Sequence, residues 1–219
     1  GPPGAGKGTQ AYFIVKNFNL YKVSTGDLLR DEVNKKNELG NKIKSIIDKG
    51  LLAPDNIINK LIDNILLNKN FNNRILFDGY PRNLDQVKNL ESLLKKNNQK
   101  ISAVISLNID KESIFKRILG RQTCSNCGLI FNEYFYPSTS ANHSCNSSFL
   151  KKRSDDNEKT IINRFETYID KTLPILDFYK EQNLLHQING MAKIHEIYKE
   201  IQGIKASLET WLYKLYLYK

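Results

Sequence analysis

The chain has 219 residues, with 33 Lys and Arg against 23 Asp and Glu, and a net charge of +10. This length suits one sizeable α/β domain that folds without covalent staples, and no apolar run approaches the ~18 residues that a membrane span needs. The positive charge favours anionic partners such as nucleotides, nucleic acid or lipid headgroups, but the basic residues are spread along the sequence and most of them indicate only a solvated surface.

A glycine-spaced loop opens the chain and reads Gly1-Pro2-Pro3-Gly4-Ala5-Gly6-Lys7-Gly8-Thr9. Its glycines let successive backbone N–H groups turn toward one anion, and Lys7 adds a positive charge. A helix is expected from about Gly8 to Phe18, with its N-terminus aimed at the same anion and the Thr9 hydroxyl where Mg²⁺ would need an oxygen. Gly8 stands before Thr9, so the loop is a variant of the Gly-Lys-[Ser/Thr] pattern, and it predicts binding of nucleotide phosphates.

Short apolar runs alternate with stretches of helical spacing, which predicts a parallel sheet with crossover helices. The runs are Leu20–Val23, Arg74–Phe77, Ala103–Asn108 and Leu185–Ile188. A phosphate loop normally follows a buried strand, so we expect the central first strand of the sheet to lie outside these 219 residues.

Two segments break the alternation and are expected to be insertions over the ligand edge of the sheet. Residues 24–55 read as short helices, Thr25–Lys36 and Leu39–Lys49, and residues 121–158 lose helical periodicity and gain cysteines and aromatics. A core nucleotide-binding domain would then comprise residues 1–23, 56–120 and 159–202.

Residues 203–219 form a C-terminal extension that is predicted to be helical. The residues that share one face of this helix are Leu208, Trp211, Leu212 and Leu215. We expect this face to pack on the domain.

Further motifs follow the loop in a fixed order. They are Ser24-Thr25-Gly26-Asp27-Leu28-Leu29-Arg30, Asp78-Gly79-Tyr80-Pro81-Arg82 with Gln86, Arg117-Ile118-Leu119-Gly120-Arg121, and Arg153-Ser154-Asp155-Asp156-Asn157-Glu158 with Arg164. In this order and spacing the chain resembles the adenylate kinase family, in the long form whose lid carries a Cys-x-x-Cys zinc module. The resemblance runs from Gly1 to about Ile201.

The resemblance implies a P-loop NTPase-type α/β fold, with residues 24–55 as an AMP-binding insertion and residues 121–158 as a small lid. It implies reversible transfer of the terminal phosphoryl group from Mg-ATP to AMP, giving two ADP. It also implies a monomer. The local set of cysteines indicates a location inside the cell, in the cytosol or the mitochondrial matrix. No clustered basic face or aromatic platform is evident, so we expect no binding of nucleic acid.

Phosphoryl transfer needs cationic charge spread over a densely negative transition state, and arginines supply it through paired hydrogen bonds. By resemblance, the catalytic residues are Lys7, Arg82, Arg117, Arg121, Arg153, Arg164, Asp78 and Asp155. The triphosphate would contact Gly4, Ala5, Gly6, Lys7, Gly8, Thr9, Arg117, Arg121, Phe131, Asn132 and Met191. AMP would contact Thr25, Arg30, Leu51, Ala53, Gly79, Arg82, Gln86, Arg153 and Arg164. Asp78 would orient waters around Mg²⁺, and Asp155 would help to set the lid arginines.

All three cysteines lie between positions 124 and 145, which indicates a metal site or reduced thiols rather than a disulfide framework. By resemblance, structural Zn²⁺ is expected at Cys124, Cys127 and Cys145. Family members that bind zinc usually have a fourth Cys or Asp where this chain has Ser148, so His143, Ser148 or solvent is left as the fourth ligand. The alternative is a vestigial knuckle held by hydrogen bonds and aromatic rings.

The phosphoryl donor stays open between two nucleotides. Asn132 stands where ATP-using long forms commonly have histidine and GTP-using mitochondrial relatives commonly have asparagine, whereas Gly120 and the Cys-x-x-Cys knuckle look more like ATP-using members. We therefore expect ATP, with a GTP:AMP phosphotransferase as the alternative. Thr25 and Gln86 match the pattern that selects AMP as acceptor. Two alternatives belong to other functional classes. One is a nucleotide- or nucleic-acid-binding module without catalysis, and the other is a non-catalytic paralogue.

Overall fold

Strands and helices alternate along the chain in the computed structural model, which describes residues 1–71 and 73–217. In chain order the helices and strands are α1 (Lys7–Phe18), β1 (Tyr21–Ser24), α2 (Thr25–Asn34), α3 (Glu38–Ile47), α4 (Asp55–Leu66), β2 (Ile75–Asp78), α5 (Leu84–Lys96), β3 (Val104–Asn108), α6 (Lys111–Leu119), β4 (Arg121–Cys124), β5 (Ile130–Asn132), β6 (Leu150–Lys151), α7 (Glu158–Thr167), α8 (Pro174–Glu181), β7 (Leu185–Asn189) and α9 (Ile194–Leu217). A π-helical segment, Tyr168–Thr172, joins α7 to α8.

The apolar runs form two parallel strand pairs. β1 pairs with β2, with Ser24 opposite Asp78, and β3 pairs with β7, with Asn108 opposite Asn189. Parallel strands joined by helices are the predicted α/β fold, which is therefore confirmed. Gly1 lies against the backbone of Leu107 in β3, so the start of the phosphate loop lies beside the second pair. The strand expected before Gly1 stays a prediction.

Buried side chains fill the space between the strand pairs and their helices. One hydrophobic cluster contains Val23, Ile62 and Leu90, which joins β1 to α4 and α5. Another contains Ile14 and Leu107, which joins α1 to β3, together with side chains of β7 and α9. Each pair is thus covered by helices, as a parallel sheet requires.

The residues around 24–55 fold as predicted, with helix ends two residues earlier than expected. Ser24 and Asn37 cap α2 and α3, since their side chains accept hydrogen bonds from the N–H groups of Asp27 and Gly40. Lys36 adopts a positive φ of 54°, which a continuing α-helix does not allow, so α2 ends before it.

The segment without helical periodicity forms a small antiparallel sheet in the order β5-β4-β6. The C-terminal extension is helical through Leu217 and continues α9, whose Ile197 and Ile201 are buried against the core. The side chains of positions 209–217 lie outside the described part, so the predicted face with Trp211 stays a prediction. Among residues 1–71 and 73–217, no helix is both long enough and apolar enough to cross a bilayer.

Candidate active site

A cavity of about 670 Å³ opens at the carboxyl ends of β1 and β2. Nine Lys and Arg side chains line it against three Asp side chains, so the fold gathers positive charge that is scattered in the sequence. A cleft with this charge balance suits a polyanionic ligand. Ligands of open parallel α/β sheets bind at this edge of the strands.

Every nucleotide-site residue predicted from the sequence lines this one cavity. They are Gly4, Ala5, Gly6, Lys7, Gly8, Thr9, Thr25, Arg30, Leu51, Ala53, Asp78, Gly79, Arg82, Gln86, Arg117, Arg121, Phe131, Asn132, Arg153, Asp155, Arg164 and Met191. Their separate roles stay predictions.

The glycine-rich loop wraps around the side chain of Lys7. Gly4 and Gly6 have positive φ angles of 76° and 88°, a region that glycine enters without steric cost. Lys7 Nζ donates hydrogen bonds to the carbonyls of Gly1 and Pro2, at 2.8 and 2.7 Å. Gly6 precedes the first turn of α1, and no described side chain caps this helix start. The first-turn N–H groups are thus left for a ligand.

Lys7 lies in surroundings that oppose its charge. Burial, together with the positive charge of Arg82, lowers the pKa of Lys7 to about 7, although Asp78 acts in the opposite direction. A phosphate group at the loop would supply the negative charge that burial removes.

The turn after β2 is fixed by one shared carbonyl. Gly79 O accepts a hydrogen bond from Arg82 Nε at 2.7 Å and another from Thr25 Oγ1 at 2.9 Å. Gly79 has a positive φ of 74°, and a Cβ there would lie 2.9 Å from an Arg82 nitrogen. The guanidinium of Arg82 is thereby held at the end of β2, beside the start of α2.

Two charged residues that the sequence analysis missed lie near Asp78. Lys22 Nζ is 3.1 Å from Asp27 Oδ2 and 3.5 Å from Asp78 Oδ2, and Arg30 Nη2 is 2.5 Å from Asp27 Oδ1. Burial raises the pKa of Asp27, but the hydrogen bond from Arg30 and the charge of Lys22 outweigh this and hold the pKa below its usual value. Asp27 stands inside a quoted motif, whereas Lys22 lies in an apolar run that gave no signal.

A network of arginines and aspartates occupies the opposite wall. Arg164 pairs with Asp155, and Arg121 Nε donates to Asp156 Oδ2 at 2.9 Å. Both carboxylates are buried, with side-chain exposures of 8% and 1%. Burial, together with the charges of Arg121 and other arginines, lowers the pKa of Arg164 to about 9. Positive charge therefore exceeds the carboxylates available to balance it.

Asn132 lines the cavity, but its amide group is bound within the antiparallel sheet segment. Its Nδ2 donates to Arg117 O at 2.8 Å, and its Oδ1 accepts from the N–H groups of Tyr134 and Phe135 at 3.0 and 3.2 Å. These bonds fix the turn after β5 and bring the Phe135 ring to 5.6 Å from the Arg117 guanidinium.

Two segments lie close over the cavity: the antiparallel sheet and the segment that contains α2 and α3. A Cβ on Gly8 would lie 3.1 Å from Ile130 Cδ1, so β5 reaches the phosphate loop. Thr160 Oγ1 donates to Asp48 O at 3.2 Å and Asn163 Nδ2 donates to Lys49 O at 2.9 Å, so the end of α3 is held against α7. The antiparallel sheet and the end of α3 thus lie close to the rim of the cavity.

A group suited to a metal ion lies in the same antiparallel segment. The ligand atoms of Cys124, Cys127, His143 and Cys145 lie within 4.8 Å of one another. His143 is buried, and the Ser138 hydroxyl is 2.9 Å from its Nδ1, while its Nε2 has no hydrogen-bond partner among the described residues. An imidazole held by one nitrogen with the other unpaired is the arrangement of a metal ligand.

The chemistry of this donor set suits zinc. Three thiols and one imidazole form a closed four-ligand set. Burial raises the pKa of Cys124, but hydrogen bonds from the backbone N–H groups of Cys127 and Asn126 outweigh it and lower the pKa to about 6. A thiol that ionises readily is a good metal ligand.

Comparison of the sequence with known proteins shows which family has this site. A family model described as adenylate kinase matches residues 1–184. The adenylate kinase of Pelagibacter ubique (strain HTCC1062) is 46% identical over 204 residues, 93% of this chain and 96% of the relative. Those of Alkaliphilus oremlandii (strain OhILAs) and Archaeoglobus fulgidus are 39% and 37% identical, over 92% and 96% of this chain and 94% and 97% of the relatives. The matched segment contains the phosphate loop, the arginine network and the Cys/His group, and the chain belongs to the adenylate kinase family of phosphotransferases.

Proposed function

We propose that the protein transfers the terminal phosphoryl group of Mg-ATP reversibly to AMP, giving two ADP. The observation that carries this proposal is the cavity at the carboxyl ends of β1 and β2, where a phosphate loop and six arginines surround one space. Such a space can hold two nucleotides in line, spread charge over the transferring group and exclude water.

The donor phosphates would bind at the phosphate loop. First-turn N–H groups of α1 point at them, and Lys7 donates to oxygens that replace the carbonyls of Gly1 and Pro2. Thr9, at the start of α1, offers a hydroxyl beside them. Because the phosphates favour the charged form of Lys7, its hydrogen bonds strengthen as they bind.

The acceptor would bind between the turn after β2 and the start of α2. Arg82 and Arg30 are proposed to hold its phosphate, because each presents a planar guanidinium to the cavity. Thr25 and Gln86 are proposed to contact the nucleoside, with Leu51 and Ala53 supplying apolar surface.

The arginines of the other wall would close on the transferring group. Arg121 and Arg164 pair with two buried carboxylates, and Arg153 adds a third positive charge beside them, so the group retains charge that a phosphate can neutralise. Their delocalised forks stabilise the charge that develops on the equatorial oxygens. Asp155 and Asp156 hold the forks in orientation, and no residue need act as a nucleophile.

Mg²⁺ fits beside these residues. Asp78 ends β2 with a carboxylate that is 13% exposed, and Thr9 contributes a hydroxyl to the same cavity. When bound, Mg²⁺ would neutralise part of the negative charge of the donor phosphates. Asp78 would accept hydrogen bonds from its waters, while Lys22 limits how far the carboxylate turns.

ATP is proposed as the donor rather than GTP. The sequence argument for GTP rests on Asn132, and the amide of Asn132 already makes three hydrogen bonds to the backbone of Arg117, Tyr134 and Phe135. Three of its four hydrogen-bonding positions thus support the turn, and the one N–H that remains does not by itself select GTP.

Zn²⁺ is proposed to bind Cys124, Cys127 and Cys145, with His143 as the fourth ligand. Zinc would hold β4 to the loops that flank β6, and it takes no part in the chemistry. The three cysteines are free thiols gathered in one group, which supports an intracellular location. By analogy with the family, the enzyme is proposed to act as a monomer.

The test is phosphoryl transfer to AMP from Mg-ATP and, separately, from Mg-GTP. We expect transfer from ATP that Lys7→Met abolishes, because the variant keeps the side-chain length and removes the charge. Lys16→Met is the matched control, since Lys16 is an exposed residue of the same helix. Faster transfer from GTP would overturn the choice of donor, and no transfer from folded protein with either donor would overturn the proposed function.

A further inference from the structure

The side-chain amide of Gln86 is held at the cavity wall by one hydrogen-bond donor and one hydrogen-bond acceptor. Gln86 is 2% exposed, and it is one of the residues that line the cavity. Its Oε1 accepts a hydrogen bond from the backbone N–H of Arg82 at 2.8 Å, and its Nε2 donates one to Asp55 Oδ1 at 2.7 Å.

These two partners allow only one orientation of the amide. A backbone N–H can only donate, and an ionised carboxylate can only accept. Turning the amide of Gln86 by 180° would set its NH₂ against the Arg82 N–H and its oxygen against the Asp55 carboxylate. Two buried hydrogen bonds would then be replaced by two repulsive contacts.

Asp55 is itself fixed by a further residue. Asn83 Nδ2 lies 3.1 Å from both carboxylate oxygens of Asp55, and Asn83 Oδ1 accepts from the backbone N–H of Gln86 at 2.7 Å. The three side chains thus close a ring of hydrogen bonds between the starts of α4 and α5. Within the part of the chain that the structure describes, no other group pairs with this amide, so one lone pair and one N–H of Gln86 remain for a ligand.

An amide with a fixed orientation distinguishes two kinds of purine. A 6-aminopurine presents a donor amino group next to an acceptor ring nitrogen, whereas a 6-oxopurine presents an acceptor oxygen next to a donor N–H. In either orientation, the free lone pair and N–H of Gln86 complement the edge of only one of these two purines. The amide would have to turn by 180° to complement the other purine.

We propose that Asp55 is a positioning residue for acceptor specificity, which holds the Gln86 amide so that the site accepts adenine and rejects hypoxanthine or guanine. The inference rests on the proposed function, because it takes AMP as the acceptor and Gln86 as the group that contacts its base. Asp55 acts through Gln86 and does not touch the nucleotide.

The test replaces the acceptor-only carboxylate by a group that both donates and accepts. In Asp55→Asn the amide at position 55 can pair with either end of the Gln86 amide, and only the Arg82 N–H still favours one orientation. We therefore expect the preference for AMP over IMP, measured as the ratio of kcat/KM values, to fall by about five- to tenfold, the worth of one neutral hydrogen bond. The KM for the triphosphate and the kcat with AMP should stay close to those of the unaltered protein.

Two further variants separate positioning from a general structural effect. Asp55→Glu keeps an acceptor-only group and should retain most of the preference, whereas Asp63→Asn changes an exposed carboxylate of the same helix and should change nothing. An unchanged ratio in Asp55→Asn would overturn the inference. An equal loss in Asp55→Glu would overturn it too, because the orientation argument does not apply there.

Equilibrium binding of AMP and IMP is measured on the same variants. If the unaltered protein bound AMP but transferred no phosphoryl group, the proposed function would fail. The ratio of the two dissociation constants in Asp55→Asn would still decide the role of Asp55.

Discussion

Lys7 shows how one residue acquires a property that the sequence does not carry. The loop pattern predicts a lysine beside phosphate, but the pKa of about 7 arises from burial and from Arg82, which is 75 positions away in the chain. A folded-state pKa below the unfolded value of 10.5 means that the unfolded chain binds more protons between these pH values. In the absence of ligand, the contribution of Lys7 to stability therefore rises with pH across this window.

Nucleotide binding should reverse this effect and take up a proton. At pH 8 we expect binding of a nucleoside triphosphate to be coupled to uptake of up to about one proton, because the phosphates restore the charge of Lys7. Calorimetric titration in two buffers with different ionisation enthalpies measures the uptake. Lys7→Met should lose it, and equal uptake in that variant would show that another group is responsible.

The residues that the sequence analysis missed share one physical reason. Lys22 lies in a strand of four residues, and its contact with Asp78 exists only because β1 pairs with β2 in one register. Asp55 likewise reaches Gln86 across 31 positions. Motifs place residues along the chain, whereas these contacts depend on how elements pack.

The packing of helix α3 on α2 depends on a glycine. A Cβ on Gly40 would lie 2.4 Å from the carbonyl oxygen of Glu32, so no side chain fits without moving one helix. We expect Gly40→Ala to lower the free energy of unfolding by about 1–3 kcal/mol, as overpacking does. Urea denaturation followed by circular dichroism measures the change.

Gly203 supplies the matched control for this substitution. It lies inside α9, and a Cβ there would meet nothing within 4 Å. Gly203→Ala should raise the free energy of unfolding by up to about 1 kcal/mol, since alanine is the better helix former. Equal effects of the two substitutions would contradict the packing argument.

The antiparallel segment offers a test of the fourth metal ligand. We expect His143→Ala to weaken zinc binding by more than about tenfold, whereas Ser148→Ala should leave it unchanged. Metal content after dialysis against a graded chelator measures both. Retention of zinc by His143→Ala together with loss from Ser148→Ala would assign the ligand to Ser148, and a metal content near zero in the unaltered protein would reject the site.

At the scale of elements, the sequence predicts the parallel strands and their helices better than it predicts the antiparallel sheet. The four apolar runs and the helices between them are found close to their predicted positions, because burial imposes a visible period. β5 and β6 have three and two residues, too short for any period to be read. The sequence therefore indicated only that helix was absent there.

The molecule as a whole concentrates positive charge in one cavity. Burial, together with repulsion among the cavity arginines, lowers the pKa of Arg153 to about 10 and of Arg164 to about 9. Inorganic phosphate should therefore raise the Tm by a few degrees relative to chloride at equal ionic strength. Thermal unfolding of Arg153→Gln should show a smaller rise. Arg74→Gln, which alters an exposed arginine outside the cavity, should show the full rise.

The sequence gives the total charge but not its arrangement. Lys and Arg appear evenly spread, and a surface role is the better interpretation for most of them taken singly. Only the fold brings Arg30, Arg121 and Arg164, from three distant motifs, to one space. The folded-down position of α3 on α7 is equally invisible, because Thr160 and Asp48 are 112 residues apart.

The antiparallel segment also differs from the rest of the molecule in what holds it together. Among the described residues, the four hydrophobic clusters draw no member from positions 121–156, where Cys124, Phe131 and His143 are among the few buried side chains. Its backbone amides should exchange with deuterium through local unfolding, well before those of β1 or β3. Substitutions around the Cys/His group could then shift the temperature at which this segment loosens while leaving the melting of the core unchanged, so adaptation to heat or cold could proceed there separately.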